Sequence, residues 1–197
     1  MILYIYIKKK VVIIMKLFIG CSSSNDIPLK YIDDCKNYLT KLLKDNDLVF
    51  GAYNSGIMKI SYDIAKKMNR KVIGISPVYF KEDLLQLDCD VEILTDSISQ
   101  RTDKVIEESD AIIFLPGGIG TTYELLSAIE SKRSNEFDKP IIIYNSNNFF
   151  DKLIEYLEKT YEEKFSSLEI KECYYIAKSA DDTINYLSNY YKGDNYE

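Results

Sequence analysis

The chain contains no histidine and no tryptophan. Without histidine, catalysis by Ser-His-Asp or Cys-His arrangements is excluded, and so is the commonest side-chain ligand of transition metals. Cysteine is sparse: Cys21, Cys35, Cys89 and Cys173 lie far apart with no CxxC pair, so neither a zinc site nor a disulfide framework is indicated. They read as buried, reduced thiols of a cytoplasmic protein. No metal and no other cofactor is called for. The chain also lacks an unbroken apolar run of the roughly 20 residues that a bilayer-spanning helix needs. Its most apolar stretch, MILYIYIKKKVVIIMK, is split by lysines at positions 8 to 10 and has no signal-peptide order, so no membrane partner is expected. Two readings of residues 1–14 stay open: an extension upstream of a natural start at Met15, or an extra edge strand. Positive charge is not in excess either. Lysine and arginine number 25 against 31 acidic residues, a net charge of −6 with no dense basic face, which argues against a nucleic-acid partner. A small anionic ligand, held by backbone amides and one or two placed cations, remains compatible with that balance.

What is present is an ordinary globular composition, 46% apolar and 28% charged, in 197 residues. One domain over residues 15–192 with a frayed tail at 193–197 is expected. From Lys16 onward short apolar runs alternate with segments of helical period. Strands are read at 16–20, 48–50, 71–76, 91–94, 111–115, 140–144 and 174–177. Helices are read at about 28–44, 55–68, 97–109, 121–133, 149–164 and 180–191, with Asp96 or Ser97 capping the third of them. Residues 78–90 lack a clear period and read as a loop or short helix near a ligand. AIIFL at 111–115 is too short and too β-branched for a helix and reads as a central parallel strand. The pattern defines an α/β, Rossmann-like, doubly wound fold with a mostly parallel sheet and helices on both faces.

In such a sheet, ligands sit beyond the carboxyl ends of the strands, at the starts of the helices. The turn after 111–115 is the informative one. Gly117, Gly118 and Gly120 let the chain turn tightly and bring amides close to an anion, with Ile119 contributing its amide and Thr121 and Thr122 adding hydroxyls. Gly117 to Thr122 is thus read as a phosphate cradle. Glu124, one helical turn further on, is placed near the mouth of the same pocket, although a carboxylate in that region also suits a helix N-terminus. Two other turns fall at the same edge. Ser22, Ser23 and Ser24 offer hydroxyl donors or helix caps. Gly51, Asn54, Ser55 and Gly56 can line a nucleoside or serve only their own turn.

The nine residues PGGIGTTYE, Pro116 to Glu124, carry the six specified positions of the PGGxGTxxE signature, and through them the chain resembles the LOG family of cytokinin riboside 5′-monophosphate phosphoribohydrolases, often labelled lysine decarboxylases. FIGCSSS and FGAYNSGIM resemble the family's first and second loops, and the likeness runs over roughly residues 16 to 190. The family has an arginine fifteen residues before the signature proline, a place that Arg101 fills. The resemblance implies hydrolysis of the N-glycosidic bond of a nucleoside 5′-monophosphate. Glu124 would stabilise oxocarbenium character and activate water, and Arg101 would bind phosphate or ribose and hold Glu124. It also implies a homodimer, with which 17 tyrosines are compatible. Three positions depart from the plant-type pattern: Thr102 stands where a lysine follows the arginine, Ala52 and Tyr53 stand where glycines are usual, and the helix after Glu124 lacks tryptophan. They leave the base open and give no particular support to a cytokinin, so AMP or a related purine nucleotide is the expected substrate. The alternative is a nucleotide-binding sensor without chemistry, like the molybdenum-cofactor carriers that resemble this family.

Overall fold

The computed structural model describes residues 3–7, 10–167 and 169–193, with side chains described from residue 14 to 167 and 171 to 192. Two strands, β1 (Leu3–Ile7) and β2 (Lys10–Ile14), pair antiparallel with each other and stay apart from the main sheet. Gly193 ends the last helix, and the rest of the expected tail lies outside the described residues.

The main sheet has seven strands: β3 (Lys16–Gly20), β4 (Asp47–Phe50), β5 (Val72–Pro77), β6 (Val91–Thr95), β7 (Ala111–Phe114), β8 (Ile141–Tyr144) and β9 (Tyr175–Ala177). Every pairing in it is parallel, in the order β6-β5-β4-β3-β7-β8-β9. The doubly wound fold expected from the alternation is therefore present. Parallel strands need long crossovers, and helices provide them: α1 (Leu29–Leu42), α2 (Gly56–Lys67), the short α3 (Lys81–Leu85), α4 (Ile98–Glu108), α5 (Ile119–Arg133), α6 (Asp151–Glu162), the one-turn α7 (Glu169–Glu172) and α8 (Ala180–Gly193).

Why these runs become strands is visible in their burial. β7 and β8 are covered on both faces, so all four residues of each are buried and the sequence shows no polar alternation. Side chains divide by parity. Leu17, Ile19 and Ile113 enter the layer beneath α1 and α2, while Phe18, Ile112 and Phe114 enter the layer beneath α4 and α5. The edge strand β6 exposes Glu92 and Leu94, as one uncovered side requires. Helix α1 buries Cys35, Tyr38, Leu39 and Leu42, the spacing of one helical stripe.

Several boundaries differ from the sequence reading. Residues 78–90 hold a turn of 3₁₀ helix at Val78–Phe80 followed by α3. The helix expected from residue 149 is preceded by a 3₁₀ turn at Ser146–Asn148, where Asn147 takes a left-handed conformation, and α6 begins only at Asp151. Helix α7 carried no readable signal because four residues show no period. Ser97, rather than Asp96, caps α4, accepting from the Gln100 amide at 3.2 Å.

The topology positions the site. The chain builds outward from β3 to β6 on one side, then returns to lay β7, β8 and β9 on the other. Between β3 and β7 the two crossovers leave in opposite directions, which opens a crevice at the strands' carboxyl ends. The Ser22 amide donates across it to the Pro116 carbonyl at 3.1 Å. The loop after β4 is locked to the same place. Ser55 Oγ donates to the Ser23 carbonyl at 2.7 Å, the Gly56 amide to Asn25 Oδ1 at 3.0 Å, and the Met58 amide to the Ser22 carbonyl at 3.2 Å.

Gly56 makes this junction possible. Its φ is +61°, and a Cβ there would lie 2.6 Å from Ser23 backbone carbon and from the Ser24 carbonyl. Gly56→Ala is expected to lower stability by about 2 kcal/mol or more, since strained φ and a backbone clash act together. Urea unfolding measures it; a loss within a few tenths of a kcal/mol, the size of an ordinary surface change, would contradict the account.

Candidate active site

Gly118 stands at the N-cap of α5, and the helix begins at Ile119, two residues earlier than its sequence period shows. The first amides of a helix have no partner within it, so this turn presents donors and partial positive charge to the crevice. Gly117 is required by packing, because a Cβ there would come within 2.1 Å of Thr121 Oγ1. Gly118 and Gly120 have nothing within 4 Å of a built Cβ, which leaves their backbone open to a ligand. Ile119 is 90% exposed, so only its backbone can serve the cradle. Thr122 departs from the sequence reading. Its hydroxyl donates to the Gly118 carbonyl at 3.2 Å and is thereby spent within the helix. Thr121 is buried and remains on the cavity wall.

Arg101 from α4 and Glu124 from α5 meet across the crevice as an ion pair between Nη2 and Oε1, with both side chains buried. Glu124 is the sixth residue of α5, too deep to cap it, so the capping alternative does not describe it. Burial raises the Glu124 carboxyl above the usual carboxylate range, and the charge and hydrogen bond of Arg101 oppose that rise. Arg101 Nε is buried without a hydrogen-bond partner, a donor free for a ligand oxygen. Thr102, at the position of the plant-type lysine, is buried and donates to the Ile98 carbonyl at 3.0 Å, so it supplies no second cation.

One cavity of about 400 Å³ joins these groups, within the usual range for small-molecule sites. Of the residues given a site role in the sequence reading, Ser22, Ser23, Ser24, Arg101, Gly118, Gly120, Thr121 and Glu124 line it. Gly51, Asn54, Ser55 and Gly56 do not. Ser55 and Gly56 are turned to the first loop, and Asn54 Nδ2 donates to Gln86 Oε1 at 3.0 Å. Gly51 lies behind Arg101, where a Cβ would be 3.5 Å from Nη1. The serines of the first loop cap turns of their own rather than a helix: Ser22 Oγ accepts from the Ser24 amide at 3.0 Å and Ser24 Oγ from the Asp26 amide at 3.2 Å. Gly117 faces a smaller neighbouring hollow with Tyr31 and Phe149.

Sequence reasoning gave no site role to Cys21, Met58, Phe80 or Ile98, which line the cavity together with Tyr53, a position already marked as departing from the family's glycines. Tyr53 and Phe80 each stand three residues past the carboxyl end of a strand, a position that points to the ligand edge of the sheet. Ile98 carries no signal of its own. Cys21 is not a nucleophile: burial, with Cys35 and Glu124 nearby, pushes its thiol well above the ordinary range and keeps it protonated. Among the described residues no three Cys, Asp or Glu side chains gather as a metal ligand set, and no helix is long and apolar enough to cross a membrane.

Fold and site together define a Rossmann-like protein with an open glycine-rich turn beside a buried carboxylate–guanidinium pair. Residues 58–187 match the family model described as "possible lysine decarboxylase", and the chain belongs to that family, the LOG family. Cytokinin riboside 5′-monophosphate phosphoribohydrolase LOG1 of Arabidopsis thaliana is 30% identical over 178 residues, covering 89% of this chain and 83% of that protein. The probable enzyme of the same name, LOGL6, from Oryza sativa subsp. japonica is 28% identical, covering 89% and 71%. Among solved structures, the molybdenum cofactor binding protein of Rippkaea orientalis superposes with a TM-score of 0.67 at 21% identity, covering 89% of this chain and 96% of that one. A molybdenum cofactor carrier protein from Chlamydomonas reinhardtii does so at 0.66 and 15%, covering 91% and 99%. At these identities the structural likeness is one of fold.

Arg101→Leu leaves Glu124 buried without its cation and is expected to cost on the order of 3 kcal/mol in urea unfolding. In the native protein the raised Glu124 carboxyl binds its proton more tightly folded than unfolded. Its contribution to stability is therefore present in acid and lost as pH rises through the folded pKa. Glu124→Gln removes that contribution, so the difference in stability between wild type and variant should shift against wild type from acid to neutral pH. A shift in the opposite direction would refute this balance of burial against pairing.

Proposed function

We propose that the protein hydrolyses the N-glycosidic bond of a purine nucleoside 5′-monophosphate, AMP or a related nucleotide, to free base and ribose 5-phosphate. The observation that carries this reading is the single cavity in which the Arg101–Glu124 pair stands beside the open glycine turn at Gly118 and Gly120. The turn suits the phosphate dianion. Glycosidic cleavage builds positive charge on the ribose ring, and a carboxylate in a low-dielectric cavity opposes it strongly.

In this mechanism the water oxygen bonds to C1′ as the C1′–N bond breaks, its electron pair passing to the base. Glu124 accepts the proton of the attacking water, and the departing nitrogen takes one up from solvent. Arg101 holds the Glu124 carboxylate through Nη2 and has Nε left for a ribose or phosphate oxygen. Protonated Cys21 takes no covalent part. Family membership and the names of the curated relatives support the reaction class; those relatives are named for cytokinin nucleotides, and the choice of AMP rests on the altered positions Ala52, Tyr53 and Thr102. A homodimer belongs to the same proposal, supported by exposed Ile119, Tyr123 and Leu126 along α5, an unpaired apolar strip next to the site.

Incubation with AMP is expected to release adenine and ribose 5-phosphate, and Glu124→Ala to lower kcat by at least 10²-fold, the scale of a lost general base. Because Glu124 must be ionised and its carboxyl is raised, the acid limb of kcat should lie above the ordinary glutamate value of about 4.3. AMP binding without base release, indifferent to Glu124→Ala, would leave the carrier reading in its place.

A further inference from the structure

The loops around the cavity follow β7, β3, β4 and β5, which are consecutive neighbours in the sheet. From the glycine turn after β7 to Phe80 after β5 there are three strand spacings, roughly 14 Å at about 4.8 Å each. The two ends of the cleft are therefore about one mononucleotide apart. At the far end Tyr53 and Phe80 face each other with ring centroids 5.2 Å apart and planes at 54°, and Tyr79 packs on Phe80 at 4.8 Å. Ala52 precedes Tyr53 in a left-handed conformation, φ +56°, with its own side chain fully buried. That costly backbone turns the chain at the end of β4 and sets Tyr53 on the cavity wall instead of in solvent.

A second hollow beside the glycine turn also holds aromatic rings, Tyr31 and Phe149, 5.5 Å apart. Chemistry distinguishes the two. Neither Glu124 nor Arg101 lines the hollow, whereas both line the cavity with Tyr53 and Phe80. The scissile bond joins ribose to base, so with the phosphate on the glycine turn and C1′ at Glu124, the base continues away from the turn. It arrives at the aromatic end. Arg101 is close enough to Tyr53 to act on its phenol, opposing the effect of burial there, which puts the pair and the rings in one electrostatic neighbourhood.

We propose that Tyr53 and Phe80 form the base-binding end of this cavity, stacking a purine ring, and that Tyr53 limits the space beyond it so that an unsubstituted aminopurine is taken in preference to an N6-alkylated one. This rests on the nucleotide-hydrolase reading for its orientation. The rings supply face-to-face contact that any base can use, while discrimination comes from bulk at the outer edge. Tyr53 acts by binding, without touching the reacting atoms, so its loss should appear in KM more than in kcat.

The test compares wild type with Tyr53→Leu, Tyr53→Gly, Phe80→Leu and Tyr31→Leu, each checked for folding by thermal melting. Binding of AMP and of ribose 5-phosphate is measured by calorimetry, alongside hydrolysis of AMP and N6-isopentenyl-AMP. Tyr53→Leu and Phe80→Leu are expected to weaken AMP about tenfold, the size of a lost base stack, and ribose 5-phosphate less than twofold. Tyr53→Gly should shift the ratio of kcat/KM toward the N6-alkylated nucleotide by about tenfold. Loss of AMP affinity in Tyr31→Leu but in neither cavity variant would overturn the proposal, as would equal weakening of AMP and ribose 5-phosphate or an unchanged preference in Tyr53→Gly. Base-selective weakening with no hydrolysis in any variant would uphold the stacking end while sinking the enzymatic reading.

Discussion

The parallel pairing of β3 with β7 is the constraint on which the rest of this molecule depends. Phe18 to Ile112, Ile19 to Ile113 and Gly20 to Phe114 are held side by side although the residues are more than ninety apart in sequence. Their register brings Cys21 alongside Leu115 and Ser22 to Pro116, whose carbonyl accepts from the Ser22 amide, and everything that lines the crevice follows from that. Gly20 is part of the fit, since a Cβ there would come within 2.6 Å of the Phe114 ring. A slip of one residue would send the inward side chains to the wrong helical layer and carry the glycine turn away from the serine loop.

Upon that frame stands the ion pair. Arg101 and Glu124 come from helices on the same face of the sheet, where α4 and α5 pack on each other with β3 beneath them. Burying two charges is expensive, and their attraction offsets it only with good geometry. As a stabilising device the pair is therefore poor, and apolar side chains of similar volume would serve as well. Its placement beside open backbone amides, with one guanidinium donor unsatisfied, makes sense as chemistry held ready. The same burial that raises the Glu124 carboxyl makes its charge effective once ionised.

The sequence made much of this legible, for identifiable reasons. Doubly covered strands announce themselves as β-branched runs, and the glycine turn announces itself through three glycines within four residues directly after such a run. The turn between 111 and 124 was read with its context intact. Less legible were residues whose role is decided by what packs on them. Gly56 looked like a ligand contact and is a junction between two loops. Ser55 and Thr122 looked like donors to a ligand, yet each donates to a carbonyl of the protein. Tyr53 was marked as a departure from the family's glycines and Phe80 fell in a segment read as near a ligand, but only the sheet order brings the two rings together at the far end of the same cavity.

By itself, then, the sequence determined the fold class, the position of the glycine-rich turn at the carboxyl edge of the sheet and the freedom of its backbone, because each depends on periodicity or on local backbone freedom. Which side chains share the cavity was decided only by tertiary structure. Arg101 and Glu124 are 23 residues apart and meet through the packing of α4 against α5. Whether a hydroxyl is spent inside its own helix or left for a ligand, and whether a carboxylate is solvated or buried against a guanidinium, are matters of distance and burial. No local pattern encodes them, because they arise when separate elements are brought together.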